Sequence, residues 1–98
     1  MSVIVTMRVH GDTEQFRQFL GNEDLLRELS AKAREGGCIH HRFGVGDGFV
    51  MVVDEWETAE AFQSFISSPE IAEIMGEMGA QSEPEVEIGE AVESPDQF

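Results

Sequence analysis

Between Ser2 and His10 apolar and polar positions alternate, with Val3, Val5, Met7 and Val9 on one side and Ile4, Thr6, Arg8 and His10 on the other. Period two and β-branched side chains predict a strand. Gly11-Asp12 ends it, and Asp12 with Gln15 three residues on has the spacing of a capping box. The period then changes. Phe16, Phe19, Leu20, Leu26, Leu29 and Ala33 recur at helical spacing from Thr13 to Arg34, and Gly36-Gly37 supplies a stop. Gly21-Asn22 interrupts this stretch, so either the helix kinks there or Asn22 caps a second piece.

Cys38 to Phe43 is a short mixed extended run, followed by Gly44-Val45-Gly46-Asp47-Gly48 and by a second run from Phe49 to Trp56. Asp47-Gly48 between the two predicts a hairpin, with positive φ at both residues in a type I′ turn. Phe49 to Val53 is apolar on both faces, the mark of a strand buried on both sides. Thr58 caps the next helix, whose stripe is Ala59, Phe62, Phe65 and Ile66. Ser68-Pro69-Glu70 is a second helix start, and Ile71, Ile74, Met75 and Met78 continue an apolar face to about Gly79. Pro84 to Glu93 alternates again, with Val86, Ile88 and Val92 on one side, and residues 94–98 read as a tail. The order βαββαβ over one domain, residues 1–93, predicts an α+β fold: a four-stranded antiparallel sheet with its helices on one face. The second face then needs a cover, and a second copy of the chain would supply it, giving a homodimer through sheet faces.

Length and charge narrow the partners. Ninety-eight residues hold one core, built here from 41% apolar residues including seven Phe and five Met. Of the net charge of −14, residues 1–42 contribute nothing, since they carry all six basic residues and six acids. Residues 43–98 carry fourteen acids and no Lys, Arg or His. Such a surface repels phosphate, so no nucleic acid and no anionic membrane is expected as a partner. No apolar run approaches the length of a membrane span and no basic start precedes an apolar stretch, so no span and no signal peptide are expected. A single cysteine, Cys38, allows no internal disulfide and fits a cytoplasmic location.

Cys38, His40 and His41 are the one cluster of reactive side chains. Strict alternation would put Cys38 and His40 on one face and His41 on the other. A zinc site needs a further ligand, and a Cys-His nucleophilic pair lacks an orienting partner and an oxyanion hole, so no metal is assigned. A His lining a pocket or interface beside a buried Cys38 is the simpler reading. Arg8 is expected to pair with Glu85 or Glu87 on the last strand rather than to bind an anion. The glycine-rich 44–48 segment joins two strands, not a strand to a helix, and so is a hairpin and not a phosphate loop. Trp56 is expected to close the core end with its indole N–H bonded locally. Met7, Met51, Met75 and Met78 with Phe62 and Phe65 make either a packed core or a soft apolar cavity.

The order of elements, the Asp54-Glu55-Trp56-Glu57-Thr58 junction and the stretch from Ala61-Phe62 to Ser67-Ser68-Pro69 resemble the antibiotic-biosynthesis-monooxygenase-like proteins of the dimeric α/β-barrel superfamily. The resemblance implies two ferredoxin-like protomers, each with a pocket between sheet and helices. Some members are cofactor-independent oxygenases of polycyclic aromatic substrates and some degrade haem. Many carry a His in the helix where this chain has Phe65. The positions matching the haem-degrading branch are Met7, Phe65 and Met75, all apolar, so haem degradation is not expected. The resemblance therefore implies a monooxygenase-like protein without metal, flavin or other cofactor. It would bind a small aromatic ligand among Met7, Met51, Trp56, Phe62, Phe65 and Met75, with His40 or His41 as the base. The alternative is a non-catalytic dimeric ligand-binding or structural protein of the same fold.

Overall fold

The computed structural model describes residues 1–98. Its elements are β1 (Val3–His10), α1 (Thr13–Leu20), α2 (Glu23–Gly36), β2 (Cys38–Gly46), β3 (Phe49–Trp56), α3 (Ala59–Ile66), α4 (Pro69–Met78) and β4 (Glu85–Glu90). The strands form one antiparallel sheet in the order β2-β3-β1-β4, the α+β ferredoxin-like arrangement expected from the sequence.

Capping residues divide the helices. The Asp12 side chain accepts the Gln15 N–H at 3.0 Å, Thr58 that of Ala61 at 3.0 Å, and Ser68 that of Ile71 at 3.3 Å, each satisfying a donor the helix start leaves free. Asn22 accepts the Leu25 N–H at 3.3 Å and starts α2. Of the two readings of Gly21-Asn22, re-capping is the one that occurs. α2 ends on Gly37 at φ 116°, a left-handed position that a side chain would strain.

The β2–β3 hairpin closes over Asp47-Gly48, but only Gly48 has positive φ, at 82°. Asp47 stays at negative φ, so the type I′ turn does not form. Thr13 explains the altered turn. Its hydroxyl accepts the Gly48 N–H at 2.7 Å and donates to the Gly46 carbonyl at 3.2 Å, binding the hairpin tip to the start of α1.

Cross-strand register assigns the two faces. Val5, Met7 and Val9 of β1 oppose Asp54, Val52 and Val50 of β3. All six are buried on the side that carries the helices. Phe16 from α1 and Met78 from α4 close one end of this core over Met7, Val9, Val50 and Val52. Phe62 from α3 closes the other over Val5, Cys38 and Trp56. The opposite face carries Ile4, Thr6 and Arg8 of β1 against Glu55, Val53 and Met51 of β3. No helix covers it, and Ile4 and Val53 remain exposed. β3 is therefore buried on one side only within the protomer. The expected Arg8 ion pair is absent: Arg8 lies over the Phe49 ring, 4.5 Å from its centre, and His10 takes Glu85 at 2.9 Å.

Candidate active site

α2 buries none of its side chains. It stands off the sheet, and a cavity of about 420 Å³ opens beneath it. Met7, Val52, Asp54 and Trp56 form the floor. Leu26, Leu29 and Ala33 of α2 face Phe62, Phe65 and Ile66 of α3 and Ile74 and Met75 of α4 across it. This is the size and apolar character of a small-molecule site. The aromatic wall is built around Trp56, whose ring lies 5.7 Å from Phe62 edge-on and 5.2 Å from Phe65.

Seven of the eight residues assigned to a site from sequence border this cavity: Met7, Trp56, Phe62, Phe65, Met75, His40 and His41. Met51 does not. The period-two alternation of β3 turns it to the uncovered face, where it lines a shallow groove with His40, Arg42, Gly44 and Val53. Trp56 and Phe62 are 1% and 3% exposed, so they act as packed backing more than as contact surface.

The histidines are placed by an irregularity that strict alternation misses. A β-bulge between Cys38 and His40 adds Ile39, so Cys38 pairs with Trp56, His40 with Glu55 and His41 with Asp54. The extra residue reverses the expected facing. Cys38 and His41 share the cavity face, and His40 is in register with Glu55 on the opposite face. The Cys38 thiol bonds to the His40 carbonyl at 3.2 Å, not to its ring, so no Cys-His nucleophilic pair is assembled. Burial, with the nearby Asp54 carboxylate, pushes the Cys38 thiol up to about 11. At neutral pH it is a protonated, apolar wall residue.

Asp54 is a candidate site residue that the sequence reading did not single out. It is 7% exposed, the one buried charged residue in the chain. One carboxylate oxygen receives the Trp56 indole N–H at 3.0 Å, the local bond expected of that ring, and the other lies 2.6 Å from His41 Nδ1. Each oxygen thus has a partner, as a buried carboxylate requires. An available signal was the acid at an inward position of the Val50, Val52, Trp56 row. His41 is partly open to solvent, with 38% of its side chain exposed, and its ring meets Phe43 edge-on at 4.6 Å between centres. A ring that donates its Nδ1 proton to a carboxylate keeps Nε2 as an acceptor. The arrangement provides an oriented imidazole beside an apolar chamber.

Among solved structures the fold is similar to that of SnoaB, a cofactor-independent oxygenase from Streptomyces nogalater, at 18% identity over 98% of each chain with a TM-score of 0.68. It is also similar to an antibiotic biosynthesis monooxygenase at 20% identity, covering 93% of this chain and 99% of that one, TM-score 0.68. A conserved protein from Methanosarcina mazei Go1 is similar at 18% identity over 91% of each chain, TM-score 0.68. At these identities the likeness is one of fold. No curated protein sequence matches the chain. The family model described as antibiotic biosynthesis monooxygenase matches residues 1–77, which contain the bulge, the His41–Asp54 pair and most of the cavity wall. By that match the chain belongs to the antibiotic biosynthesis monooxygenase family.

Proposed function

We propose that the protein is a cofactor-independent monooxygenase of a small, hydrophobic aromatic molecule held in the cavity beneath α2. The observation that carries this reading is the His41 imidazole, oriented by the Asp54 carboxylate at 2.6 Å, beside an apolar chamber. Nε2 of His41 removes a proton from an acidic carbon or phenol of the substrate, and Asp54 faces the ring that then carries the positive charge. The electron-rich anion reduces oxygen directly. An activated methylene plus O2 gives a carbonyl and water, with the substrate itself supplying all four electrons and both protons of the water.

The working unit in this proposal is a homodimer whose uncovered sheet faces meet. Ile4, Thr6, Met51 and Val53 form the middle of that face. His40 and Arg42 lie toward the β2 edge, and Glu85 and Glu87 toward the β4 edge. A two-fold axis can bring the basic edge of one copy against the acidic edge of the other, which makes the surface self-complementary. Residues 1–93 are taken as the folding unit, with 94–98 as a tail, and the reduced Cys38 suits the cytoplasm. No helix is long and apolar enough to cross a membrane.

A second reading, binding without turnover, has one observation in its favour. α3 and α4 present only apolar side chains to the cavity, among them Phe65 and Met75. An oxygen electrode separates the two readings. With a panel of quinols and polyphenols, the enzyme reading expects protein-dependent oxygen consumption and a carbonyl product. Binding of the same compounds with no consumption would establish the second reading instead.

A further inference from the structure

Charge is unevenly spent around the cavity. Of six basic residues only Arg34 borders it, and of twenty acids only Asp54 does. Both oxygens of Asp54 are already engaged, by His41 and Trp56. Arg34 is not engaged. Its neighbours on α2 are paired, Arg27 with Glu23 and Asp24, and Lys32 with Glu28 and Glu70, whereas Arg34 has no carboxylate within 4.0 Å. Arg34 is exposed on its outer side and borders the cavity mouth, four residues before Cys38, which lines the same chamber. Arg34, Cys38 and the His41–Asp54 pair all line this chamber. Ser30, one turn before Arg34 on α2, adds a hydroxyl to the wall. The site offers hydrogen-bond donors and no free carboxylate, within a chain of net charge −14.

We propose that Arg34 is a specificity-determining residue that anchors an anionic oxygen group, a carboxylate, on the aromatic ligand of this cavity. A planar fork with five donors suits a carboxylate in two-point contact. The ring system lies against Phe65 and Met75, and the acid group is on the edge that also presents the reacting carbon to His41. An amine-bearing ligand of the same shape finds no acceptor there. This inference takes the cavity of the preceding section as the ligand site and adds the chemical class of what enters it.

Isothermal titration of three isosteric probes, naphthoate, naphthamide and naphthylmethylammonium, tests it without any turnover. Wild-type protein is expected to bind naphthoate about tenfold more tightly than naphthamide, the order of one charge-assisted contact, and the ammonium probe most weakly. Arg34→Gln is expected to abolish the preference for naphthoate while leaving naphthamide unchanged, and Arg34→Lys to keep part of it. Equal binding of the acid and the amide by the wild type overturns the proposal. So does a preference that survives Arg34→Gln, or a failure of all three probes to bind. Acid preference without oxygen consumption on any substrate would uphold the anchor and reject the oxygenase. Oxygen consumption without acid preference would do the reverse.

Discussion

His41 and Asp54 face one another across β2 and β3, with Nδ1 and Oδ1 2.6 Å apart, and the second Asp54 oxygen holds the Trp56 indole N–H at 3.0 Å. One buried carboxylate thus orients the candidate base and fixes the largest ring in the cavity floor. Its two duties separate by mutation. Asp54→Asn presents an amide donor where His41 needs an acceptor, which favours the wrong imidazole tautomer. Turnover is expected to fall by about 10²- to 10⁴-fold, the order of losing a general base or its correct tautomer. Asp54→Ala also leaves the buried indole N–H without an acceptor, and is expected to lower stability by about 1–3 kcal/mol. Urea denaturation of the two variants measures the difference.

The bulge at Ile39 is the reason that the site was only half legible in the sequence. Caps at Asp12, Thr58 and Ser68 were legible, and the one at Asn22 as one of two alternatives, because a capping side chain and its donor lie three residues apart and the signal is local. Met7, Trp56, Phe62, Phe65 and Met75 fell on the cavity because strand and helix periods place them there. The facing of His40 and His41 depends on one inserted residue whose only trace is a register shift against β3. Met51 was misplaced by grouping methionines by type instead of by strand face. Likewise, the turn at Asp47 is held by Thr13, which bonds Gly46 and Gly48 from 33 and 35 positions away in the chain, and no local turn rule contains those contacts.

Core and cavity residues should respond differently to truncation. Phe62 is 3% exposed and packed between Trp56 and the sheet, so Phe62→Ala is expected to cost about 3–5 kcal/mol. Leu29 on α2 faces the chamber and is only half-buried. Leu29→Ala is expected to cost less than Phe62→Ala, and to weaken aromatic ligands measurably. Thermal unfolding and ligand titration of both variants check the contrast.

Cys38 gives a pH signature. Its thiol is raised from 9.0 to about 11. A thiol held protonated by the fold keeps its full contribution to stability below the unfolded value. That contribution is lost as pH rises from about 9 through 11, because the unfolded chain ionises first. Thiolate absorbance against a Cys38→Ala blank should titrate near 11 in the folded protein and near 9 in urea. Wild-type stability should decline across that window more steeply than that of Cys38→Ala.

The uncovered sheet face should hold the dimer. Val53 is 48% exposed at its centre, so Val53→Glu places a charge in the proposed contact and is expected to yield monomers by analytical ultracentrifugation. Arg42→Glu is expected to weaken association, and combining it with Glu87→Arg to restore part of it. A wild-type protein that sediments as a monomer at all concentrations would contradict the sheet-to-sheet assembly.

Oxygen consumption by His41→Ala and His40→Ala, compared on a substrate that the wild type oxidises, addresses the role of His41 most directly. Loss of the general base is expected to reduce kcat by about 10²- to 10⁴-fold in His41→Ala. His40→Ala, which is in register with Glu55 and has no bond to Asp54, should stay within a few-fold of wild type. Equal activity of His41→Ala and the wild type, or a loss confined to His40→Ala, would contradict the assignment of His41 as the base.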